Sequence, residues 1–378
     1  MNMQTHSPST LDDIFALLTH QTHLLWSHPE QASAIAPLML WGPPGVGKST
    51  VVRSVAEAQG VGFLDIRLAQ REPVDLRGLP VPREDAVEWL LSSEWPRDPD
   101  SRGIILFDEL TAADRTLQVA AYELILERRL GTLYTVPPGW YIVAAGNRAG
   151  DRAVAGTLSS ALANRFCHLD VAVNVEDWVA WAAEQDLPPI VSAFLRFQPE
   201  SFLDLSGPLD RGWPSPRSWE RVAVTLMHGA ELPEHLMRRL VEGLVGVGAA
   251  AQFLAFRELA DSLPDVDAWL RGDESLTVPE RPDLRFALVG AVAHRVWRAP
   301  QRRAAIQRAL ELSDVLGSDF AALLLTDLLR GRSADDLRLV LQSSAFPGWL
   351  KQHGPALRGR LTRGADAVLA SVLGGASA

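Results

Sequence analysis

The stretch Leu38–Thr50 limits the possible folds of this chain more than any other, because Gly42-Pro-Pro-Gly-Val-Gly-Lys48-Ser49 fits the pattern G-x-x-x-x-G-K-[ST]. Glycines in such a loop let successive backbone N–H groups turn towards a polyphosphate. Lys48 supplies a point charge for the β- and γ-phosphates, and Ser49 supplies a hydroxyl for Mg²⁺. The residues of this loop that we predict to bind a nucleotide are Gly42, Pro43, Pro44, Gly45, Val46, Gly47, Lys48, Ser49 and Thr50.

The sequence on either side of the loop supports the motif. Pro37–Trp41 is an apolar run typical of a short buried strand, and Ser49–Ala58 has the pattern of a helix whose N-terminus would face the anion. A Gly/Pro-rich turn that fits the pattern by chance would lack this context. The strand, loop and helix together predict a phosphate-binding loop and hence a nucleotide-binding protein.

The composition describes a globular chain with an acidic balance. Of the 378 residues, 47% are hydrophobic and 22% are charged, and the formal net charge is −10. These values are typical of a folded protein and not of a disordered chain. The acidic balance argues against a broad nucleic-acid-binding surface, although it leaves room for a local basic patch. Lys48 and Lys351 are the only lysines, so a lysine in the loop is hard to explain by the general composition of the chain.

The cysteine count and the hydropathy of the sequence indicate the cellular compartment in which we expect the chain. A single cysteine, Cys167, excludes an intramolecular disulfide and a CxxC metal site. Met1–Thr10 lacks the basic start and apolar centre of a signal peptide. Val241–Phe256 is the longest apolar run and is shorter than the ~20 residues that a membrane-spanning helix needs. We therefore expect a cytoplasmic protein without a membrane span.

A second motif follows downstream of the loop. Gly103–Glu109 is apolar up to Phe107 and then carries two carboxylates, at the strand end where ligands bind in open α/β sheets. Asp108 is predicted to contact the nucleotide and to join Ser49 in holding Mg²⁺, and Glu109 is predicted to polarise the attacking water as a general base. An Asp-Glu pair carries little weight alone. Because the pair follows a phosphate-binding loop, with one strand between them, it is strong evidence for this role.

A third strand end carries a candidate polar residue. Ala113–Arg129 has the pattern of an amphipathic helix, and Trp140–Ala145 is typical of another buried strand. Asn147 follows that strand, so its amide is a candidate to align the water against the γ-phosphate. The alternative is an asparagine that caps a turn, which the residue type also favours.

Two arginines compete for a role at the nucleotide of a neighbouring subunit. Thr157–Asn164 predicts a short helix that leads to Arg165 and to the strand His168–Val173. The position of Arg165 suits a contact with a neighbour, and the alternative is an ordinary helix-end arginine favoured by the helix dipole. Arg148, next to Asn147, is the rival for this role.

The periodicity changes from strands to helices near residue 174, which predicts a domain boundary there. We expect an α/β nucleotide-binding domain with a leading helix Leu11–Ser27 over residues 1–174, and a helical lid over 175–270. A helical C-terminal region, either a lid extension or a separate domain, is expected over 271–378. Helices are predicted at Glu176–Gln185, Pro189–Phe197, Pro216–Met227, Pro233–Gly246, Leu284–Leu316 and Phe320–Leu341, with breaks at Pro300 and Gly331.

The order of these motifs resembles that of an AAA+ ATPase and, more narrowly, of the MoxR family. The resemblance covers roughly Leu38–Met227, and its blocks are Leu76–Pro80, Phe107–Arg115, Glu127–Gly131 and Ala144–Asn147. It implies an α/β fold in which a P-loop parallel sheet flanked by helices, the AAA+ core, is followed by an all-α lid and a further helical region. Arg71–Asp100, rich in proline and aspartate, predicts a loop with a small strand or hairpin and resembles the family's insertion in its second helix.

The resemblance also implies roles for individual residues. Lys48 and Ser49 correspond to Walker A, Asp108 and Glu109 to Walker B, Asn147 to sensor 1, Arg165 to an arginine finger acting in trans, and Arg217 to sensor 2 acting in cis from Ser215-Pro-Arg217. The implied cofactors are ATP and Mg²⁺. The implied assembly is a hexameric ring that remodels or matures a protein partner, often one with a von Willebrand factor A domain. Asp65–Arg83 lacks the aromatic-hydrophobic tip with which ring unfoldases grip a threaded chain, so discrete work on a bound partner fits better than threading.

Two other functions compete with this interpretation. A nucleic-acid-directed AAA+ motor or a restriction-type subunit would share most of these blocks, and the basic cluster Arg295–Arg303 counts for it. The acidic balance and the lack of basic-aromatic interleaving count against it, and a solvated helix face is the preferred explanation of the cluster. A scaffold that binds ATP and barely hydrolyses it is the third candidate, which Glu109 disfavours because a pure switch does not need a general base.

Overall fold

The computed structural model of the chain describes residues 7–152, 156, 158–229, 232–330 and 332–360. The chain divides into two compact units, Met1–Val173 and Asn174–Ala378. The first unit carries the P-loop and the Asp-Glu motif, and the second carries the helical patterns.

The first unit is built on a five-stranded parallel sheet. Its strands and those of two small hairpins are β1 Leu38–Trp41, β2 Gly62–Arg67, β3 Leu79–Pro82, β4 Val87–Leu90, β5 Gly103–Asp108, β6 Arg129–Leu130, β7 Tyr134–Thr135, β8 Trp140–Gly146 and β9 Cys167–Asp170. The strand order in the sheet is β2-β5-β8-β1-β9, and β3–β4 and β6–β7 are antiparallel pairs. The helices of this unit are α1 Leu11–Ser27, α2 Lys48–Gln59, α3 Pro73–Arg77, α4 Arg115–Glu127 and α5 Ser160–Ala163. The predicted AAA+ type of core is thereby confirmed.

Alternation along the central strands explains why helices cover both faces of the sheet. In β5, Ile105 and Phe107 pack with the apolar face of α4, whereas Ile104 and Leu106 pack with α1 and α2. Every residue of β8 is buried, as expected for a parallel strand covered on both sides. The sheet therefore lies inside the unit. Loops occur at its amino edge, where the strands begin, and at its carboxyl edge, where the strands end.

Local capping sets where the helices begin. Thr10 and Asp13 form a capping box at the start of α1, whose bounds are those predicted. The helix predicted from Ala113 begins instead at Arg115, because the Asp114 side chain accepts hydrogen bonds from the next backbone N–H groups. The short helix α5 begins after Ser159, which caps it, and the predicted start at Thr157 lies outside the described residues.

The last strand is shorter than predicted. The pattern gave His168–Val173, but β9 ends at Asp170. Its partner β1 ends at Trp41, so the pairing stops there. Beyond that point Val171 bridges to Ser9 of the N-terminal segment. The backbone hydrogen bonds of this bridge extend the sheet beside β9.

The predicted insertion contains a hairpin, as expected. Strands β3 and β4 pair from Leu79↔Leu90 to Pro82↔Val87. Large apolar side chains on it are exposed: Leu79 by 57%, Val87 by 54%, Trp89 by 46% and Leu90 by 46%. The Asp65–Arg83 window that lacks an aromatic residue thus ends just before the strand that carries Trp89. Trp89 is thus an exposed aromatic residue of the insertion outside that window, and the preference for discrete work over threading stays a prediction.

The second unit is helical throughout its described residues, with no strand among them. Its helices are α6 Val175–Glu184, α7 Pro189–Phe197, α8 Pro216–His228, α9 Glu234–Val245, α10 Val247–Ala260, α11 Val266–Arg271, α12 Pro282–Val296, α13 Arg302–Leu316, α14 Ser318–Leu329, α15 Ala334–Leu341 and α16 Phe346–Arg360. The predicted break at Pro300 separates α12 from α13. The break predicted at Gly331 lies outside the described residues, between α14 and α15. No helix in the described ranges is long and apolar enough to cross a membrane.

A buried ion-pair network joins distant parts of this second unit. The Arg196 guanidinium of α7, whose side chain is 5% exposed, donates to the carboxylates of Glu176 in α6 and Asp327 in α14. Burial lowers the pKa of Arg196, but the two carboxylates outweigh it and raise that pKa above its usual value. Helices from both sides of residue 270 therefore pack against each other.

Candidate nucleotide site

The P-loop connects β1 to α2 at the carboxyl edge of the sheet. Gly45 and Gly47 have φ values of 81° and 96°, a region that favours glycine. Gly47 also packs closely, since a Cβ there would lie 3.2 Å from a methyl group of Leu11. No side chain caps the N-terminus of α2, so its first N–H groups stay available for an anion.

Lys48 lies inside the loop it closes. Its side chain is 8% exposed, and Nζ donates to the carbonyl oxygens of Gly42 at 2.6 Å and Pro43 at 2.9 Å. A third bond reaches the Asn147 side-chain oxygen at 3.2 Å. The ammonium group is thus held between the loop backbone and the Asn147 side chain.

Ser49 and Asp108 meet where Mg²⁺ is expected. The Ser49 hydroxyl donates to Asp108 Oδ2 at 2.5 Å, which brings together an aliphatic hydroxyl and a carboxylate at the P-loop. Oxygen donors of this kind suit Mg²⁺, which usually takes one or two protein ligands along with phosphate oxygens and water. The two residues therefore fit the ion that the sequence predicts.

Glu109 has an unusual backbone conformation. Its φ is 57°, a left-handed value that is strained for a glutamate. The strain is held by the chain around it, since Leu110 N donates to Ala145 O and Ala112 N donates to Glu109 O. Within the described part of the chain no hydrogen bond engages the Glu109 carboxylate, which is half-buried.

Thr111 is a positioning residue that sequence analysis missed. Its buried hydroxyl donates to Asn147 O at 3.2 Å and accepts from Asn147 N at 3.0 Å. Gly146 makes this approach possible, because a Cβ there would lie 2.8 Å from both the Thr111 hydroxyl and Met39. The threonine thereby fixes the backbone from which the Asn147 amide reaches Lys48. Its partners are backbone atoms, so no motif pointed to it.

Asp65 is a second residue that sequence analysis missed. It lies in β2 next to β5, and one of its carboxylate oxygens is buried without a hydrogen-bond partner among the described residues. Burial and the nearby Asp108 raise the pKa of Asp65, while Arg67 and Arg53 oppose the shift. Arg53 and Arg67 lie 3.6 and 3.7 Å from the Asp65 carboxylate, so cations of the chain itself offset its charge.

The amino edge of the sheet carries Arg165. Strands β1 and β9 run parallel from Leu38↔Cys167 to Trp41↔Asp170, so Arg165 precedes the pair while the P-loop follows it. Four residues at about 3.3 Å each separate the two edges by about 13 Å. Arg165 is exposed and forms no ion pair with any part of the chain that the structure describes. Its position is unsuited to its own P-loop.

Arg148 lies on the opposite edge from Arg165. Its Nε and Nη2 donate to Asp170 Oδ1 at 2.9 and 2.6 Å, and its backbone N–H donates to Asp151. The guanidinium is therefore paired within its own chain and shares the edge of its own P-loop. This geometry favours Arg165 over Arg148 for a contact with a neighbour.

Arg217 belongs to the second unit. It follows Ser215 and Pro216 at the start of α8, where Ser215 caps the helix and accepts from Ser218 N. Its side chain is exposed. The sensor-2 role that the resemblance implies for Arg217 stays a prediction.

Comparison with known proteins identifies the type of domain. Residues 38–166 match the model of the ATPase family associated with various cellular activities (AAA). The matched segment begins at β1 and ends just before β9, and so contains the P-loop, Asp108, Glu109, Asn147 and Arg165. This part of the chain is an AAA ATPase domain.

Individual relatives are distant. Midasin of Giardia intestinalis is 27% identical over 169 residues, which is 42% of this chain but only 4% of midasin. RuvB of Thermotoga maritima, a Holliday junction branch migration motor, is 16% identical over 70% of this chain and 77% of its own, with a TM-score of 0.36. NtrX of Brucella abortus in complex with ADP is 16% identical over 89% of this chain and 68% of its own, also with a TM-score of 0.36.

Proposed function

We propose that this protein is a Mg²⁺-dependent ATP hydrolase of the MoxR type, which assembles into a ring and remodels or matures a protein partner. The observation that carries the proposal is the arrangement at the carboxyl edge of the sheet. There Lys48 contacts Asn147, Ser49 contacts Asp108, and Glu109 keeps its carboxylate available. A binding scaffold would not need that last group.

The geometry suits a simple hydrolytic step. The γ-phosphate of ATP takes the place that the Gly42 and Pro43 carbonyls now share around Lys48 Nζ. Ser49 and Asp108 would hold Mg²⁺, which neutralises charge on phosphate oxygens when bound. Glu109 accepts a proton from the water as its oxygen attacks phosphorus, and the bond to the ADP oxygen breaks. Asn147 orients that water.

A neighbouring subunit completes the site in this proposal. Arg165 lies on the edge opposite its own P-loop, so a head-to-tail contact would bring it to the ATP of the next copy. A cation there would stabilise charge on the transferred phosphoryl group. Closure of such contacts gives a ring, and the resemblance to MoxR proteins suggests a hexamer with Arg217 acting in cis.

The exposed hairpin supports a protein partner. One of its faces consists of Pro80, Pro82, Val87 and Trp89, by the pairing of β3 with β4. Exposed apolar patches of this kind mark protein interaction sites. The prolines leave the outer edge of β3 without two N–H donors, which hinders addition of a further strand. A partner would therefore bind through side chains. That it carries a von Willebrand factor A domain rests on the resemblance alone.

A nucleic-acid motor is the less favoured function. Within the cluster Arg295–Arg303, Arg295 pairs with Asp267, Arg298 with Asp186 and Arg302 with Asp336. Carboxylates thus offset these guanidinium groups, and the chain as a whole has a net charge of −10. Both observations weaken attraction to a phosphate backbone.

The experiment that tests the proposal is the ATPase rate per subunit against protein concentration, with and without single-stranded and duplex DNA or RNA. We expect a rate that rises with concentration and ignores nucleic acid. A rate that stays flat from fully dissociated to fully assembled protein would contradict catalysis between subunits. Strong stimulation by nucleic acid would favour the motor, and binding of ATP without turnover would favour the scaffold.

A further inference from the structure

A cavity of about 320 Å³ opens at the amino edge of the sheet, on the side away from the P-loop. Its walls are the segment 32–37, the C-terminal end of α4, the start of β8 and Arg165. Two of the lining residues, Arg128 and Arg165, are cationic, and all the others are uncharged. The cavity thus has a positive lining with no acidic side chain to balance it, and its volume suits part of a small ligand.

Arg128 is the buried member of this pair. Its side chain is 7% exposed, and its Nη2 donates to the carbonyl oxygens of Pro137 at 2.9 Å and Trp140 at 2.7 Å. Burial lowers the pKa of Arg128 to about 10, against the opposite effect of Tyr134, so it keeps its charge at neutral pH. Among the described residues no carboxylate forms an ion pair with it.

A buried guanidinium without a carboxylate is costly. Buried charges in proteins are usually paired, because neutral hydrogen bonds replace only part of the lost hydration. The adjacent Arg129 shows the contrast, since it is exposed and pairs with Glu127. An anion that entered the cavity would therefore find in Arg128 a guanidinium with no carboxylate partner among the described residues.

We propose that this cavity receives the terminal phosphates of an ATP bound to the P-loop of a second copy of the chain, between the exposed Arg165 and the buried Arg128. The inference rests on the ring of the proposed function and adds Arg128 to it as a second cation acting in trans. A phosphate carries enough negative charge to balance both guanidinium groups. Arginine also matches the planar edge of a phosphate through paired N–H donors.

Topology favours a second copy as the source of the phosphate. Arg128 bonds to the first residue of β8, and Asn147 follows the other end of the same strand, so Arg128 lies on the edge opposite its own P-loop. In a head-to-tail contact the surface that meets the carboxyl edge of one copy belongs to a different face of the next. The amino edge, with two cations and no acid in its cavity, is the complementary face.

The first measurement compares neighbouring arginines. Arg128→Gln should lower kcat about 10²-fold, the effect typical of removing one preorganised donor to a developing oxyanion. Binding of a fluorescent ATP analogue should stay within about twofold of the wild-type protein. Arg129→Gln, the matched control, should keep wild-type turnover. Equal turnover in the two variants would overturn the proposal.

Mixed rings then decide on which nucleotide Arg128 acts. Glu109→Gln protein lacks the base but supplies an intact amino edge. In an equal mixture with Arg128→Gln protein, about one interface in four of a randomly assembled head-to-tail ring joins an intact base to an intact edge. We expect activity to return in this mixture, but not when Arg128→Gln is mixed with Arg165→Ala, since neither protein supplies a complete edge. The reverse pattern would show that Arg128 acts on its own nucleotide and would overturn the proposal.

Two controls keep the outcomes separate. Arg165→Ala mixed with Glu109→Gln should also regain activity, and failure there would overturn the trans arrangement of the proposed function itself. Arg128→Lys keeps a cation but loses the planar fork, and it enters the same mixtures if thermal unfolding shows that Arg128→Gln does not fold. A purely structural role at the Pro137 and Trp140 carbonyls would lower the unfolding temperature without any recovery on mixing.

Discussion

The two edges of the central sheet differ in how far their functional groups are satisfied within the chain. At the carboxyl edge, Lys48 contacts Asn147 and Ser49 contacts Asp108. At the amino edge, Arg128 and Arg165 line one cavity and neither forms an ion pair with a described residue. The first edge is preorganised, and the second offers positive charge that needs a partner. Under the proposed function, the first edge would hold the ATP of its own copy and the second would act on the ATP of another copy.

The largest expected effect at the preorganised edge is that of Lys48→Ala. Removal of the ammonium group takes away the point charge for the phosphates, so we expect ATP affinity to fall at least about 10²-fold and turnover to vanish. Calorimetric titration measures the affinity. Lys351→Ala, which removes the only other lysine from an exposed position, is the matched control. An unchanged affinity would mean that the P-loop does not bind ATP in the manner proposed.

The next effect separates binding from chemistry. Glu109→Gln keeps the size of the side chain and loses only the ability to accept a proton, so kcat should fall about 10²–10⁴-fold while ATP still binds. Rapid-quench measurement should find bound, uncleaved ATP. Glu57→Gln, on the exposed side of α2, should behave as wild type. Wild-type turnover in the Glu109 variant would remove this residue from the mechanism.

The carboxyl edge could be predicted from sequence because its residues follow strands in recognisable order. Gly42–Ser49, Asp108–Glu109 and Asn147 each lie directly after an apolar run, and parallel strands bring their carboxyl ends to one edge. The bounds of several helices, such as α1 and α7, followed from periodicity in the same way, whereas α10, α11 and α16 were not among the predicted helices. The end of β9 is a further exception, because it is set by the end of its partner β1 at Trp41, which no local pattern of β9 indicates.

The remaining features depend on contacts between distant residues. Thr111 matters because its hydroxyl meets the backbone of Asn147, 36 residues away. Arg128 belongs to the block Glu127–Gly131, but that its guanidinium is buried without a carboxylate is a fact of the folded chain alone. Whether Trp89 is exposed likewise depends on which distant residues pack against the hairpin. Sequence patterns indicate which helices and strands form, but they do not indicate which distant residues pack around a given side chain.

A smaller effect tests how the carboxyl edge keeps its order. Thr111→Val keeps the shape of the side chain and removes both hydrogen bonds to the Asn147 backbone. We expect kcat to fall about tenfold, since two bonds of about 1 kcal/mol each hold the group that orients the water. Thr135→Val, at an exposed position of β7, is the control for the loss of a hydroxyl. If Thr111→Val lost stability but kept its kcat, the threonine would be structural only.

The smallest expected effect tests whether the two edges act independently. Trp41, the last residue of β1, donates its indole N–H to His168 Nδ1 at 2.8 Å, and His168 Nε2 lies 2.7 Å from the carbonyl oxygen of Ala163. This chain of contacts joins the strand before the P-loop to the helix before Arg165. Trp41→Phe removes one partly buried hydrogen bond, which should lower the free energy of unfolding by about 0.5–1.5 kcal/mol.

Trp26→Phe is the matched control, because it removes another partly buried indole bond, to Gly139, which precedes β8 at the amino edge and does not contact the P-loop strand β1. We expect the two variants to lose similar stability in urea and to keep kcat within about threefold of wild type. That result would mean that each edge holds its own geometry, and that subunit contact rather than the sheet couples them. If Trp41→Phe alone lost as much kcat as Arg165→Ala, the position of Arg165 would depend on the P-loop strand of its own copy. A bound ATP could then change, through Trp41 and His168, the cation that the same copy presents to its neighbour.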